Sequence, residues 1–203
     1  MVKNSIKLII IDLYGVMSRG SYKDTCRWIS KKYGHDFDHC YDVVYFKHFT
    51  DAAMGRISEK ESCQRTVKEL NMEESGSEFL AKHLSFQKLN KSVFDYALSL
   101  KDRGYKILLL SKNTPGQFEN LVKKYSLDKY FDVQNTYDLR LEKKDIRTIQ
   151  YVLKKYKVRA TEVFFVDDQD FNFPNAKKLG VHTYLYKNFK DFKTKLNSIL
   201  NAK

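Results

Sequence analysis

The sequence predicts an α/β protein with a doubly wound, parallel, five-stranded sheet and a small inserted α-helical cap. After residue 92, short apolar runs of strand length alternate with amphipathic stretches of helical period. This alternation is typical of a parallel sheet covered by helices on both faces. Residues 21–85, which follow the first apolar run, have a helical pattern without a convincing strand. We therefore expect a core domain of residues 1–16 and 88–203 and a cap domain of residues 17–87.

The first predicted strand is the apolar, mostly β-branched run at residues 8–11. It has no helical period and is too short to cross a membrane, which suits a strand buried on both faces. Asp12 follows directly, and Gly15 then permits a tight turn. Ligands of open parallel sheets bind at the carboxyl ends of the strands. Asp12 is therefore either a functional-site residue or a polar residue that merely ends the strand.

The remaining elements follow from the same alternation. We expect core strands at residues 105–110, 131–136, 162–166 and 181–186, and core helices at residues 92–104, 115–125, 145–156, 173–179 and 189–200. Residues 18–20 are expected to form a loop. In the cap, Asp24 is expected to cap a helix that stops near Gly34, and residues 58–61 resemble a capping box.

The composition fits one well-packed domain that carries an insertion. Of the 203 residues, 42% are hydrophobic and only 2 are proline, which makes a disordered chain a poor interpretation. The 3 cysteines are an odd number without close spacing, and we therefore expect a reduced, cytoplasmic protein. No apolar run exceeds the length of a strand, so no membrane segment is expected. A monomer and a homodimer both stay open.

The formal net charge of +12 is compatible with solvated lysine faces or with attraction of anionic ligands. The basic residues are scattered in pairs such as Lys31-Lys32 and Lys154-Lys155, without a run of five or six. This scatter disfavours a basic arm for nucleic acid. Among anionic ligands, small phosphorylated metabolites therefore come first.

Polar residues follow each of the first four predicted core strands, and parallel strands bring these ends to one edge of the sheet. The residues are Asp12, then Ser111-Lys112-Asn113, then Lys143 after a short loop, then Asp167-Asp168. Clustered carboxylates repel one another unless a lysine or a hard cation lies among them. Mg²⁺ is held by one or two carboxylates together with waters and phosphate oxygens. The set therefore suits phosphoryl transfer with a carboxylate nucleophile.

At these residues the chain resembles the haloacid-dehalogenase (HAD) superfamily of hydrolases, over essentially its whole length. The four stretches that carry the resemblance occur in family order: Ile-Ile-Ile-Asp-Leu-Tyr-Gly-Val, Leu-Leu-Leu-Ser-Lys-Asn-Thr, Leu-Arg-Leu-Glu-Lys-Lys-Asp-Ile and Phe-Phe-Val-Asp-Asp-Gln-Asp-Phe-Asn. The helical insertion is similar to the α-helical cap of the dehalogenase, phosphoglucomutase and glucose-1-phosphatase-like branch. The resemblance implies a Rossmann-type core and a phosphatase of a small phosphorylated metabolite.

The resemblance also implies a role for each site residue. Asp12 would be the nucleophile that forms an aspartyl-phosphate intermediate, and Lys143 would neutralise the nucleophile and the phosphate. Ser111 would hydrogen-bond a phosphate oxygen, with Lys112 and Asn113 in the substrate-binding segment. The Mg²⁺ cofactor would be bound by Asp12, the backbone carbonyl of Tyr14, Asp168 and Asp167, of which Asp168 is favoured over Asp167.

Tyr14 departs from the family pattern, because most phosphatases of this superfamily have a general-acid Asp at that position. Without a positioned acid the rate typically falls by roughly 10²–10⁴-fold. Two alternatives therefore stay open. One is a weakly active or inactive relative that serves as a binding module. The other is a 2-haloacid dehalogenase, which resembles this chain in its Asp-x-Tyr-Gly pattern but has a cap arginine where this chain has Asp51 and Ala52.

Some cap residues are secondary candidates. The aromatic residues Trp28, Tyr41, Tyr45 and Phe49 are expected in the cap core, with one or two lining the substrate pocket as the alternative. Arg19 and Arg56 are weak candidates for contact with substrate.

Overall fold

The computed structural model describes residues 6–201, and the core of this region is a parallel five-stranded sheet. Its strands lie in the order β5-β4-β1-β6-β7. Two further strands, β2 and β3, form a short antiparallel pair beside the sheet. The strands are β1 (Leu8–Asp12), β2 (Ser18–Arg19), β3 (Lys88–Leu89), β4 (Lys106–Ser111), β5 (Asp132–Asn135), β6 (Val163–Asp167) and β7 (His182–Leu185).

The central strand β1 is buried along its whole length, because helices cover both faces of the sheet. Side chains of successive strand residues point to opposite faces. Ile9 and Ile11 therefore pack against one set of helices, and Leu8 and Ile10 against the other. This explains why the sequence of β1 is uniformly apolar rather than alternating.

The core helices divide between the two faces. One face is covered by α6 (Lys91–Asp102), α7 (Pro115–Tyr125) and α10 (Phe189–Leu200), and the other by α8 (Ile146–Tyr156) and α9 (Pro174–Lys178). The predicted helices agree with these within one to two residues at most ends, because Pro115, Gly104 and Gly180 mark boundaries in the sequence. The predicted α/β class with a parallel five-stranded sheet is confirmed.

Between β2 and β3 the chain forms a helical layer with its own apolar cluster, in which Cys26, Ile29, Val43 and Leu70 are buried. It contains α1 (Tyr22–Tyr33), α2 (Phe37–Tyr41), a π-helix (Asp42–Phe49), α3 (Thr50–Ala53), α4 (Glu59–Glu69) and α5 (Gly76–Ser85). The separate cluster supports the division into core and cap, which stays a prediction.

Three local expectations need correction. Residues 18–20 include β2, because the two connections between core and cap pair with each other. The first cap helix is capped by Ser21, and Asp24 completes the capping box by accepting from the Ser21 amide. At α4, Ser58 accepts from the Glu61 amide, but the Glu61 carboxylate accepts from Arg65 instead of reaching back to the Ser58 amide.

In residues 6–201, no helix is long and apolar enough to span a bilayer.

Candidate active site

Lys143 is the central cation of a buried carboxylate cluster at the carboxyl edge of the sheet. Its Nζ lies 2.6 Å from Asp12 Oδ1 and 2.7 Å from Asp167 Oδ2. Asp12 ends β1, and Asp167 ends the neighbouring strand β6. Burial alone would lower the pKa of Lys143, but the two carboxylates raise it above its ordinary value. The lysine therefore stays protonated and offsets the negative charge around it.

The carboxylate of Asp12 is buried in a low-dielectric site. Burial raises its pKa well above the usual value, Asp167 and Asp168 add to this effect, and Lys143 opposes it. An anion in such a place is poorly solvated and needs nearby positive charge. Lys143 supplies part of that charge.

Asp167, at the end of β6, and Asp168, directly after it, differ in how many donors of the protein bond to them. Asp167 accepts from Lys143, from the Gln169 amide at 2.9 Å and from Asn172 Nδ2 at 3.0 Å. Asp168 has one ion pair, with Lys23 of the cap at 3.3 Å. Asp167 is therefore held in place by its neighbours, whereas Asp168 keeps more free acceptor capacity.

The turn after β1 brings the backbone close to these carboxylates. Its hydrogen bonds use the carbonyl oxygens of Asp12, Leu13 and Ser18 as acceptors. Within residues 6–201, none of these bonds uses the carbonyl oxygen of Tyr14. Gly15 has a φ of +94°, and a Cβ there would lie 2.6 Å from Asp168 Cγ. Glycine is therefore required at this position by both conformation and space.

Asp12, Asp167 and Asp168 together form a set that can hold a metal ion. One oxygen from each lies within 4.8 Å of the others. Hard divalent cations prefer oxygen ligands of this kind. The Tyr14 carbonyl and Asp168, which has fewer protein donors, fit this interpretation better than Asp167 with its three donors does.

Ser111 ends β4 at the same edge, and Asn113 lies two residues further on. The Ser111 hydroxyl is buried and has no hydrogen-bond partner within residues 6–201. A buried polar group without a partner costs free energy, so this hydroxyl is available to bond a ligand in the cavity. Asn113 lines the same cavity, and its Oδ1 accepts from the Thr114 amide at 2.8 Å. Helix α7 itself is capped by Thr114, which accepts from the Gln117 amide.

Tyr14 lines the cavity, but its hydroxyl is already engaged. It donates to the backbone carbonyl of Gln117 at 2.7 Å. Burial raises the pKa of this phenol far above its ordinary value. A group that holds its proton so firmly and directs it at a carbonyl is poorly suited to protonate a leaving group.

The helical layer between β2 and β3 packs over this edge of the sheet and forms one wall of the cavity. Tyr45 and Tyr41 both bond to Gln169 of the core, at 3.0 and 3.1 Å, and Tyr22 bonds to Gln117. The volume of this cavity that the centre of a water molecule can occupy is about 30 Å³. Its lining combines core and cap residues: Asp12, Tyr14, Ser21, Tyr22, Lys23, Tyr41, Tyr45, Phe49, Ser111, Lys112, Asn113, Lys143, Asp168 and Gln169.

The sequence of the chain matches that of a known family over most of its length. A family model described as haloacid dehalogenase-like hydrolase matches residues 36–186, well over half of the chain. The chain belongs to the haloacid dehalogenase-like hydrolase family. No curated protein sequence matches it.

Solved structures of haloacid dehalogenase-like proteins share the fold. A predicted hydrolase from Porphyromonas gingivalis is 23% identical with a TM-score of 0.77, covering 98% of this chain and 99% of its own. An enzyme from Bacteroides thetaiotaomicron is 22% identical with a TM-score of 0.76, covering 95% and 98%. That enzyme was also solved with magnesium and inorganic phosphate, in a structure with a TM-score of 0.71 at 22% identity, covering 90% and 95%.

This haloacid dehalogenase-like hydrolase brings together the residues that its sequence singled out, and their catalytic and ligand roles stay predictions. Seven of them line the cavity, and Asp167 lies behind Lys143. Its neighbour Lys144 is exposed and pairs with Glu142 at 3.0 Å, outside the site.

Other expectations for this hydrolase were incomplete or wrong. Tyr41, Tyr45 and Phe49 line the cavity, whereas Trp28 does not. Arg56 pairs with Asp51 at 2.7 Å and is exposed, so it does not reach the site. Arg19 lies in a separate surface groove beside Trp28. The packing of the cap on the core determines which of these residues line the cavity. The spacing of residues in the sequence does not predict this packing.

Four residues that line the cavity were not among the candidates from the sequence: Ser21, Tyr22, Lys23 and Gln169. Lys23 lies in the first turn of α1, and Gln169 directly follows the acidic pair. The position of Gln169 beside two site carboxylates was an available signal. Lys23 gave none, because one lysine in a helix with several lysines looks like a solvated surface residue.

Proposed function

We propose that the protein is a Mg²⁺-dependent phosphatase that hydrolyses a small phosphorylated metabolite through an aspartyl phosphate at Asp12. The observation that carries this proposal is the buried Asp12–Lys143 pair beside the partnerless hydroxyl of Ser111. A nucleophilic carboxylate, a fixed cation and a free hydrogen-bond donor at one cavity are the groups that phosphoryl transfer needs.

Three residues of the chain take part in the proposed reaction. Asp12 attacks phosphorus through a carboxylate oxygen, and the bond from phosphorus to the ester oxygen breaks. Ser111 donates to a phosphate oxygen, and the ammonium of Lys143 offsets charge on both reacting groups. Water then attacks the phosphorus of the aspartyl phosphate and releases inorganic phosphate, so that the Asp12 carboxylate is restored.

The metal ligands in this proposal are Asp12, Asp168 and the Tyr14 carbonyl, with Asp167 as the residue that orients Lys143. The donor set is all oxygen, which suits Mg²⁺. The bound ion would supply positive charge beside the transferring phosphate. The complex of the Bacteroides thetaiotaomicron enzyme with magnesium and inorganic phosphate supports this choice.

The engaged hydroxyl of Tyr14 implies that the enzyme lacks a protein acid for the leaving oxygen. The leaving oxygen then takes its proton from water. The same feature is compatible with dehalogenation, because halide needs no proton. However, no arginine of residues 6–201 lines the cavity to receive a halide. The absence of such an arginine from the lining formed by residues 6–201 and the presence of a carboxylate set that can hold Mg²⁺ both favour a phosphate ester over a haloacid as the substrate.

The test is phosphate release from a panel of sugar phosphates, nucleotides and an aryl phosphate, with Mg²⁺ and with a chelator. We expect Mg²⁺-dependent release by the wild type and none by Asp12→Asn. Circular dichroism and a denaturation curve verify that Asp12→Asn is folded. Metal-dependent binding without release from any ester would instead support the binding-module alternative, and halide release without metal would support the dehalogenase.

A further inference from the structure

Three lysines line the cavity, and within residues 6–201 only one of them lacks a carboxylate partner within ion-pair distance. Lys143 pairs with Asp12, and Lys23 pairs with Asp168. No carboxylate of the described chain lies within ion-pair distance of the Lys112 ammonium. The Glu142 and Asp167 carboxylates act on this ammonium only from beyond that distance. A poorly hydrated cation without a direct counter-ion is costly, so a ligand that supplies one would bind favourably.

The cap holds Lys112 in one place. Its Nζ lies 3.2 Å from Thr50 Oγ1, and the Thr50 hydroxyl donates its own proton to the Tyr45 carbonyl. The same Nζ lies over the rings of Tyr45 and Phe49, 4.8 and 5.8 Å from their centroids. An ammonium has three donors, and the described chain accepts from one of them. Two donors stay available to a ligand.

We propose that Lys112 binds a second anionic group, a carboxylate or phosphate on the leaving group of the substrate. This proposal rests on the proposed function and specifies its substrate class: a short phosphorylated acid or a small bisphosphate.

The position of Lys112 favours the leaving group over the reacting phosphate as its ligand. The reacting phosphate must lie at Asp12, beside Ser111 and Lys143. Lys112 is instead fastened to Thr50, Tyr45 and the cap side of the cavity. A group bonded to the phosphate and pointing at the cap therefore meets this ammonium.

The aromatic residues that line the cavity stack on one another. Tyr41 and Tyr45 stack on each other at 5.0 Å with an angle of 3°, and Tyr45 and Phe49 stack at 5.3 Å. The rings thus cover one another or lie under the Lys112 ammonium. Before a substrate binds, the cation–π contacts with Tyr45 and Phe49 stabilise the charge of the Lys112 ammonium. Burial lowers the pKa of Lys112 to about 8, so it remains largely charged at neutral pH.

The test uses two non-hydrolysable phosphonates that differ only in a terminal carboxylate, phosphonopropionate and propylphosphonate. Their binding is measured by calorimetry in the presence of Mg²⁺, so the result does not depend on turnover. We expect phosphonopropionate to bind wild-type protein about 10-fold or more tightly than propylphosphonate, since a charge-assisted contact has this magnitude. Propane bisphosphonate, in a third arm, separates a second phosphate from a carboxylate as the preferred group.

The decisive variant is Lys112→Met, which keeps the apolar length of the side chain and removes the charge. We expect the preference for phosphonopropionate to disappear in Lys112→Met while propylphosphonate binding changes less than about twofold. The matched control is Lys82→Met, because Lys82 also lies over aromatic rings, Trp28 and Phe86, but on the cap exterior. An equal preference in wild type and Lys112→Met, or no preference in wild type, would overturn the proposal. Absence of phosphate release from every ester would contradict the phosphatase but leave this binding result standing.

Discussion

The ammonium nitrogen of Lys143 lies 2.6 Å from Asp12 Oδ1, and each of the two side chains is only 4% exposed. This contact joins the loop after β5 to the central strand of the sheet. It places a permanent positive charge at the carboxylate that we propose as the nucleophile. The pair therefore joins two elements of the core and also places positive charge where the proposed reaction needs it.

Lys143→Met leaves two buried carboxylates without their cation. We expect it to abolish phosphate release and to lower the free energy of unfolding by about 3–5 kcal/mol, the usual cost of breaking a buried pair. Urea denaturation and the phosphate assay measure the two effects. The control is Lys144→Met, whose ammonium is exposed. Its unfolding free energy should change by less than about 0.5 kcal/mol, and an equal loss in both variants would contradict the assignment.

Tyr14→Asp provides a carboxyl group at the position of the missing acid. We expect it to raise kcat for alkyl phosphates by about 10²-fold, because their leaving oxygen needs a proton. Aryl phosphates, which leave more easily, should gain much less. Tyr14→Phe removes only the hydroxyl that donates to Gln117. It should keep the wild-type kcat and lose about 1 kcal/mol of stability; a large loss of kcat would show that the hydroxyl takes part in catalysis.

Gly15→Ala tests the close approach of the turn to Asp168. Both Gly15 and Gly34 have positive φ, at +94° and +76°, but only at Gly15 would a Cβ meet a neighbour. Each alanine variant should lose about 1 kcal/mol of stability from backbone strain. Only Gly15→Ala should also weaken Mg²⁺ binding, which calorimetry measures directly. Unchanged Mg²⁺ affinity in Gly15→Ala would remove Asp168 from the metal site.

Lys112→Met should make the ligand-free protein more stable at neutral pH. The folded pKa of Lys112, about 8, lies below the unfolded value of 10.5. The charged form therefore opposes folding below pH 8, and this penalty fades as pH rises towards 10.5. Because the side chain is half-buried, we expect a gain of about 1–2 kcal/mol in unfolding free energy below pH 8. Urea curves at neutral and alkaline pH measure it, and a loss of stability at neutral pH would indicate that the charge has a stabilising partner.

Much of the core followed from the sequence, because local rules and topology agree there. The run before Asp12 is apolar at every position and could only be a doubly buried strand. Once the alternation with helices fixed a parallel sheet, Asp12, Ser111 and Asp167 had to share one edge. The register confirms this placement, since Asp12 pairs with Leu110 next to Ser111 and Ile11 with Val166 next to Asp167.

The cap side of the site could not be predicted in the same way. Lys23 reaches the site only because the helical layer packs on the core, and this long-range arrangement has no local period in the sequence. Gln169 of the core contacts the same layer through Tyr41 and Tyr45. The π-helix from Asp42 to Phe49 also has no simple sequence signal, yet it aligns Tyr45 and Phe49 with the cavity. Helices of this type are rare and are often associated with functional sites. The sequence therefore indicated the chemistry, and the cap determines which residues surround the leaving group.

The most direct test of the central claim is mass spectrometry of protein quenched in acid during turnover of a phosphate ester with Mg²⁺. The account predicts that the peptide containing Asp12 gains the mass of one phosphoryl group in wild-type protein. The same peptide should be unmodified in Asp12→Asn, which should also release no phosphate. A phosphoryl group on another residue, or full-rate phosphate release by Asp12→Asn, would contradict the proposal that Asp12 is the nucleophile.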